Sequence, residues 1–163
     1  MAKQAKRQLA GSGEALPVGV IGEIKSGTDT TSRSQSSPVA GTWYFFTANG
    51  QLTLEPGVWR IEASGLISIT GTWNGSTVWP WTAMRLQNTT NATTIKQSMC
   101  GLGFGIPNYI NNFSTVSDTI TLTTTSVIQL QHSWNWWASG GSVSDLTTRN
   151  DIFSQTIKAV RIA

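Results

Sequence analysis

The chain has one cysteine, Cys100, so no intrachain disulfide can form and no metal-type cysteine spacing exists. It has one histidine, His132, which excludes a histidine-rich metal site and leaves any serine–histidine–carboxylate scheme resting on a single residue. Charge is scarce: Asp, Glu, Lys and Arg together make 12% of the chain. The eight carboxylates are dispersed, with Glu55 in a turn and Glu62 on a polar strand face, and no motif pairs them for glycoside hydrolysis. No apolar run approaches the roughly 20 residues that cross a bilayer as a helix. The first residues, MAKQAKRQLAGSGEALPVGVIGEI, hold no apolar core and no A-x-A site, so neither a secretory signal nor an anchor is expected. The glycosylation sequons at Asn74, Asn88, Asn91 and Asn112 then read as incidental in an Asn/Thr-rich chain. GLGFG at 101–105 lacks the helix and lysine of a phosphate loop and reads as a bend. No catalytic residue, metal ligand or cofactor is assigned.

The net charge of +3 invites a nucleic-acid reading. The charge map weakens it. Residues 1–33 carry five basic and three acidic side chains; residues 34–163 carry six and five. A phosphate-tracking surface needs clustered Lys and Arg, and beyond Arg7 there is no cluster. A basic arm that docks on an acidic protein surface fits better.

What is abundant is Ser and Thr, about a quarter of the chain, and tryptophan, with eight copies. The first favours strands and turns over helix. Residues 1–39 read as an arm and linker. Lys3, Lys6 and Arg7 precede the apolar Leu16, Val18, Val20 and Ile21, and a Ser/Thr-rich connector follows. Such a segment is expected to order on a partner.

Residues 40–163 read as strand after strand. TWYFFTA is bounded by Asn49-Gly50, a hairpin signal. In QLTL, Leu52 and Leu54 share a face. In VWRIEASGLISI, Trp59, Ile61 and Ala63 alternate with Arg60, Glu62 and Ser64, and Gly65 is expected to mark a bulge. Asn74-Gly75 predicts a turn. Met84 and Leu86 oppose Arg85, and Pro80 places the start of that strand at a sheet edge. Ile120 and Leu122 alternate with threonines. Residues 140–151 predict a polar loop, and FSQTIKAVRIA closes the chain as a strand. The pattern predicts an all-β fold: an antiparallel β-sandwich or jelly roll of about eight strands with an extended N-terminal arm.

Alternation puts Ile128, Leu130, His132, Trp134 and Trp136 on one face, which is expected to be buried or to lie on an oligomer axis. Trp79, Trp81 and Trp137 are the candidates for ligand contact. Indole is used to fill cores, to anchor subunit interfaces and to stack on sugars, and the sequence leaves these three open.

GEI at 22–24, LTLEPGVWRIEA at 52–63, SDTITLTTTSVIQLQ at 117–131 and the closing IKAVRIA resemble small virion proteins and fibre domains of tailed bacteriophages. There, a Leu-x-Leu-x-x-Gly-x-Trp segment opens the long strand; Leu52, Leu54, Gly57 and Trp59 match it. The pattern is also similar to jelly-roll trimers of the tumour-necrosis-factor shape. The resemblance implies a non-enzymatic virion protein, either a capsid decoration protein or a short tail or fibre component, made in the host cytoplasm. Its body would self-associate, most readily as a trimer, and its arm would dock on other virion proteins, with neither nucleic acid nor membrane insertion. The alternative is a module that binds a host receptor or surface glycan through exposed tryptophan. The extra tryptophans and the independent arm depart from the family pattern.

Overall fold

The computed structural model describes residues 19–31, 33–36, 39–102, 110–150 and 155–163, with side chains at 19–31, 39–66, 81–99, 113–135 and 155–163. The elements run β1 (Ile24–Asp29), β2 (Arg33–Ser36), β3 (Trp43–Tyr44), a 3-10 turn (Ala48–Gly50), β4 (Gln51–Leu54), β5 (Gly57–Asn88), β6 (Thr93–Leu102), β7 (Ile110–Leu122), β8 (Ser126–Asn150) and β9 (Gln155–Arg161). Every ladder is antiparallel.

The pairings nest in sequence. The tip of the nest is the turn at 89–92, which joins β5 to β6. Outside it the first part of β5 pairs with β7, then β4 with β8, then β1 with β9. This is a long hairpin rolled on itself, the jelly-roll order. One layer reads β1-β9-β5-β7 and the other β4-β8-β5-β6, with β3 beside β4 on the edge of β8. β5 runs 32 residues because it serves both layers in turn. Its first part lies between β9 and β7, and its last part between β8 and β6.

Alternation explains the core. Trp59, Ile61, Ala63, Val116, Leu122, Ile157 and Ala159 come from the first layer; Leu52, Leu54, Met84, Leu86, Ile128 and Leu130 face them from the second. Each large apolar side chain removed from water is worth about 1.5–3 kcal/mol, so this interface between layers is the main source of stability.

Tight turns close one end of the sandwich. There Thr125 Oγ1 donates to Glu55 Oε2 at 2.7 Å, and the Thr89 N–H donates to the Val127 carbonyl at 2.9 Å. β5 and β8 continue as a paired ribbon from Ser68–Arg149 to Trp79–Trp137, and β2 adds to β8 along Asn150–Thr147.

Several expectations need correction. The arm does not extend to residue 39, because Ile24–Asp29 pairs with the last strand and Arg33–Ser36 with β8. Residues expected in a linker are thus sheet members. Asn49-Gly50 makes a 3-10 turn, not a hairpin: the segments on either side of it, β3 and β4, both pair with β8 and not with each other. Asn74-Gly75 is not a turn, since β5 runs through it opposite Ser142 and Gly141. For the same reason 141–150 is strand. A partner strand outweighs local turn preference in each case. Gly65 makes no bulge; the β5–β7 register is unbroken from Gly57 to Ile69. It is small because a Cβ there would lie 3.1 Å from His132 Cε1. Pro80 does not start a strand: β5 runs through it, opposite Trp136 of β8.

Candidate functional site

Four places bring polar or aromatic groups together. The first is in the core. His132 is fully buried, its Nε2 2.8 Å from Gln155 Oε1, and its ring lies 5.8 Å from that of Phe46. Trp134 packs edge-on against Phe46 at 5.6 Å and against Tyr44 at 5.0 Å. Burial pushes the imidazole down to about 4, and the Gln155 hydrogen bond offsets part of that. Among the described residues, His132 Nδ1 and Trp134 Nε1 have no hydrogen-bond partner. A sealed, neutral imidazole is placed to fill space, not to move protons to a substrate.

This also corrects the expected subunit contact. Ile128, Leu130 and His132 are 0% exposed and Trp134 is 1% exposed within the single chain. The shared face that alternation predicted is real, but the opposite layer of the same chain covers it. The side chain of Trp136 lies outside the described residues.

The second place is the outer face of the β4-β8-β5-β6 layer. Arg85 donates through Nε and a terminal nitrogen to Gln131 Oε1 at 2.9 and 2.7 Å, and through the other to Thr94 Oγ1 at 3.3 Å. Gln131 donates to Gln129 at 3.0 Å, and Gln129 to Gln51 at 3.1 Å. Thr94 donates to Gln87 at 2.9 Å. The Trp43 ring lies over the guanidinium, 4.4 Å from centroid to Cζ, and partial burial lowers the Arg85 pKa. This chain of bonds ties four strands and spends most of its donors internally. Trp81 is half-buried at the end of the same strand segment. Register sets Trp79 directly opposite Trp137, two residues beyond the Trp81–Asn135 pair; the side chains of Trp79 and Trp137 lie outside the described residues.

The third place is where the arm enters. Gly19 N–H donates to Glu23 Oε2 at 2.7 Å, and Arg161 Nη1 approaches the same oxygen at 3.9 Å. Arg161 also stacks on Trp59 at 5.5 Å and donates to the Pro56 carbonyl. This clamp holds both ends of the described body together. Just outside it Val20, Ile21, Ile24 and Ile162 expose apolar surface, Ile21 at 71%. Of the residues expected to dock, only Val20 and Ile21 are described; Lys3, Lys6, Arg7, Leu16 and Val18 are not.

The fourth place is a trough of about 450 Å³ on the outer face of the β1-β9-β5-β7 layer. Register puts its side chains in two rows across four strands. One row is Thr28, Thr156, Ser64 and Thr115; the other is Ser26, Lys158, Glu62 and Ser117. Ser64 and Thr156 share a 2.8 Å hydrogen bond, and Glu62 pairs with Arg60 at 2.8 Å. Among the described residues, Lys158 has no ion pair. The sequence signal was visible as alternating Ser and Thr, but alternation alone marks only a wet face. Which wet face is grooved depends on strands distant in sequence. Among the described residues, no group of three or more His, Cys, Asp or Glu could hold a metal ion.

No protein-family model matches the sequence, and no characterised protein sequence matches it. Solved structures align with parts of it. A crystal structure of the T13 particle of infectious bursal disease virus aligns with TM-score 0.43 and 13% identity over 86% of this chain and 36% of the viral one. A VP2 subviral particle of the same virus gives 0.41 and 12% identity, over 86% and 38%. A Bacillus endospore appendage, described as a disulfide-linked pilus, gives 0.29 and 11% identity over 92% of this chain. The chain spans little more than a third of the viral chains. The β-sandwich and jelly-roll assignments rest on the strand order above.

Proposed function

We propose that this chain is a non-enzymatic structural subunit of a virion: a capsid decoration protein or a short tail or fibre component of a tailed bacteriophage. Its jelly-roll body self-associates, with a trimer favoured, and its first 18 residues dock on a neighbouring virion protein. It would be made in the host cytoplasm and act in the particle.

The observation that carries this reading is the edge at β1. Among the described residues, β1 has one ladder partner, β9. Beside that edge stand the exposed Val20, Ile21, Ile24 and Ile162. An apolar strip on an open sheet edge invites pairing with another chain unless something covers it. The Glu23–Arg161 clamp fixes where the basic arm leaves, next to the same strip. Sequestration of the only histidine agrees with a structural role.

Sedimentation velocity over a concentration range tests the strip. The native chain is expected to form a closed oligomer. Ile24→Lys, at a position 58% exposed, should keep the fold and weaken association by about tenfold or more, the loss expected when a charge enters an apolar contact. A native chain that stays monomeric, or a variant that associates equally well, contradicts the reading.

A further inference from the structure

We propose that the trough on the outer face of the β1-β9-β5-β7 layer binds an acidic saccharide. The site does not depend on the virion reading. Its volume of about 450 Å³ lies in the range of small-ligand sites, roughly 300–1,000 Å³. Ser26, Thr28, Ser64, Thr115, Ser117 and Thr156 bring hydroxyls to a lining that Ala63, Val116 and Ile157 complete with apolar surface. Hydroxyls both donate and accept, which a sugar's own hydroxyls need, and apolar patches suit its C–H faces. Ser26, Thr28, Thr115 and Ser117 have no side-chain partner among the described residues, whereas Ser64 and Thr156 bond each other.

Charge selects the kind of sugar. Arg60 lies 2.8 Å from Glu62 and neutralises it. Lys158, between Ser26 and Glu62 in register, is exposed and has no ion pair among the described residues, so the face keeps one positive charge that Glu62 does not neutralise. A uronate or sialate carboxylate meets that ammonium while ring hydroxyls reach the two rows. One row further along β7, past Thr115, stands Phe113, 65% exposed opposite Leu66. An exposed aromatic beside a hydroxyl-lined groove is a stacking platform for the apolar face of a pyranose. A second copy of the chain is the other conceivable occupant. It is disfavoured because the trough's side chains are short, hydroxylated and charged, and a subunit contact centres on apolar and aromatic side chains.

Saturation-transfer NMR on the full chain with 3′-sialyllactose, and with lactose as the neutral comparison, tests the site. Sialyllactose is expected to receive saturation and lactose to receive about tenfold less, the discrimination of one charge-assisted hydrogen bond. Lys158→Gln should remove the difference between the two sugars. Thr115→Trp, on an exposed position, should fill the trough and abolish transfer to both. The far-ultraviolet circular dichroism of each variant reports whether the fold persists. Three results overturn the proposal: no transfer to either sugar, transfer undiminished by Thr115→Trp in a folded variant, or loss of self-association in Thr115→Trp without any sugar binding by the native chain. The last would make the trough a subunit contact.

Discussion

His132 sets the pH response at the scale of single residues. The folded state holds it neutral, with the pKa pushed down from the ordinary 6.5 to about 4. A group depressed in this way contributes stability that is fully present above pH 6.5 and is lost as pH falls through 4. The size is on the order of 3 kcal/mol. Thermal melts from pH 7 to 4 should therefore fall more steeply for the native chain than for His132→Gln, which keeps a polar group near Gln155 but does not titrate. Parallel profiles would mean the imidazole is not sealed. Trp59 makes a second residue-scale case. It is 0% exposed, its Nε1 donates to the Glu55 carbonyl at 2.8 Å, and Arg161 covers it. Trp59→Ala should cost about 3–5 kcal/mol in chemical denaturation.

The element that decides the fold's boundary is β1. It buttresses the 3-10 turn so closely that a Cβ on Gly27 would sit 2.1 Å from the Asn49 carbonyl oxygen. Gly27→Ala should therefore destabilise by roughly 1–3 kcal/mol, as overpacking does, measurable as a lowered denaturation midpoint. A chain that starts at Thr42 would lose β1 and expose the flank of β9; it is expected to aggregate, whereas a chain that starts at Gly19 keeps every described strand. Strands with period-two burial were readable from sequence: Leu52 and Leu54, Trp59 to Ala63, Met84 and Leu86, and Ile128 to Trp134 all fell on the face the alternation assigned. β1 and β2 were not, because IKSGTD and RSQS lack apolar alternation. They are strands only because β9 and β8 offer them edges. The Asn-Gly pair at 74–75 misled for a related reason. An intrinsic turn preference is worth little beside a continuous ladder. The trough was invisible for a third reason: its two rows come from β1, β5, β7 and β9, spread from Ser26 to Lys158.

For the molecule as a whole, the nested pairing leaves two kinds of surface. The layer interface is consumed by the core, and with it the Ile128–Trp134 face. In the proposed reading, self-association uses the outside: the exposed Val20, Ile21, Ile24 and Ile162, or the sheet faces. That division makes the proposed split, self-association through the body and docking through the arm, directly measurable. The measurement is the solution mass by light scattering of the full chain and of a chain beginning at Gly19. The same closed oligomer, a trimer, is expected in both. A chain from Gly19 that is folded but monomeric would contradict it, and would assign oligomerisation to residues 1–18 instead.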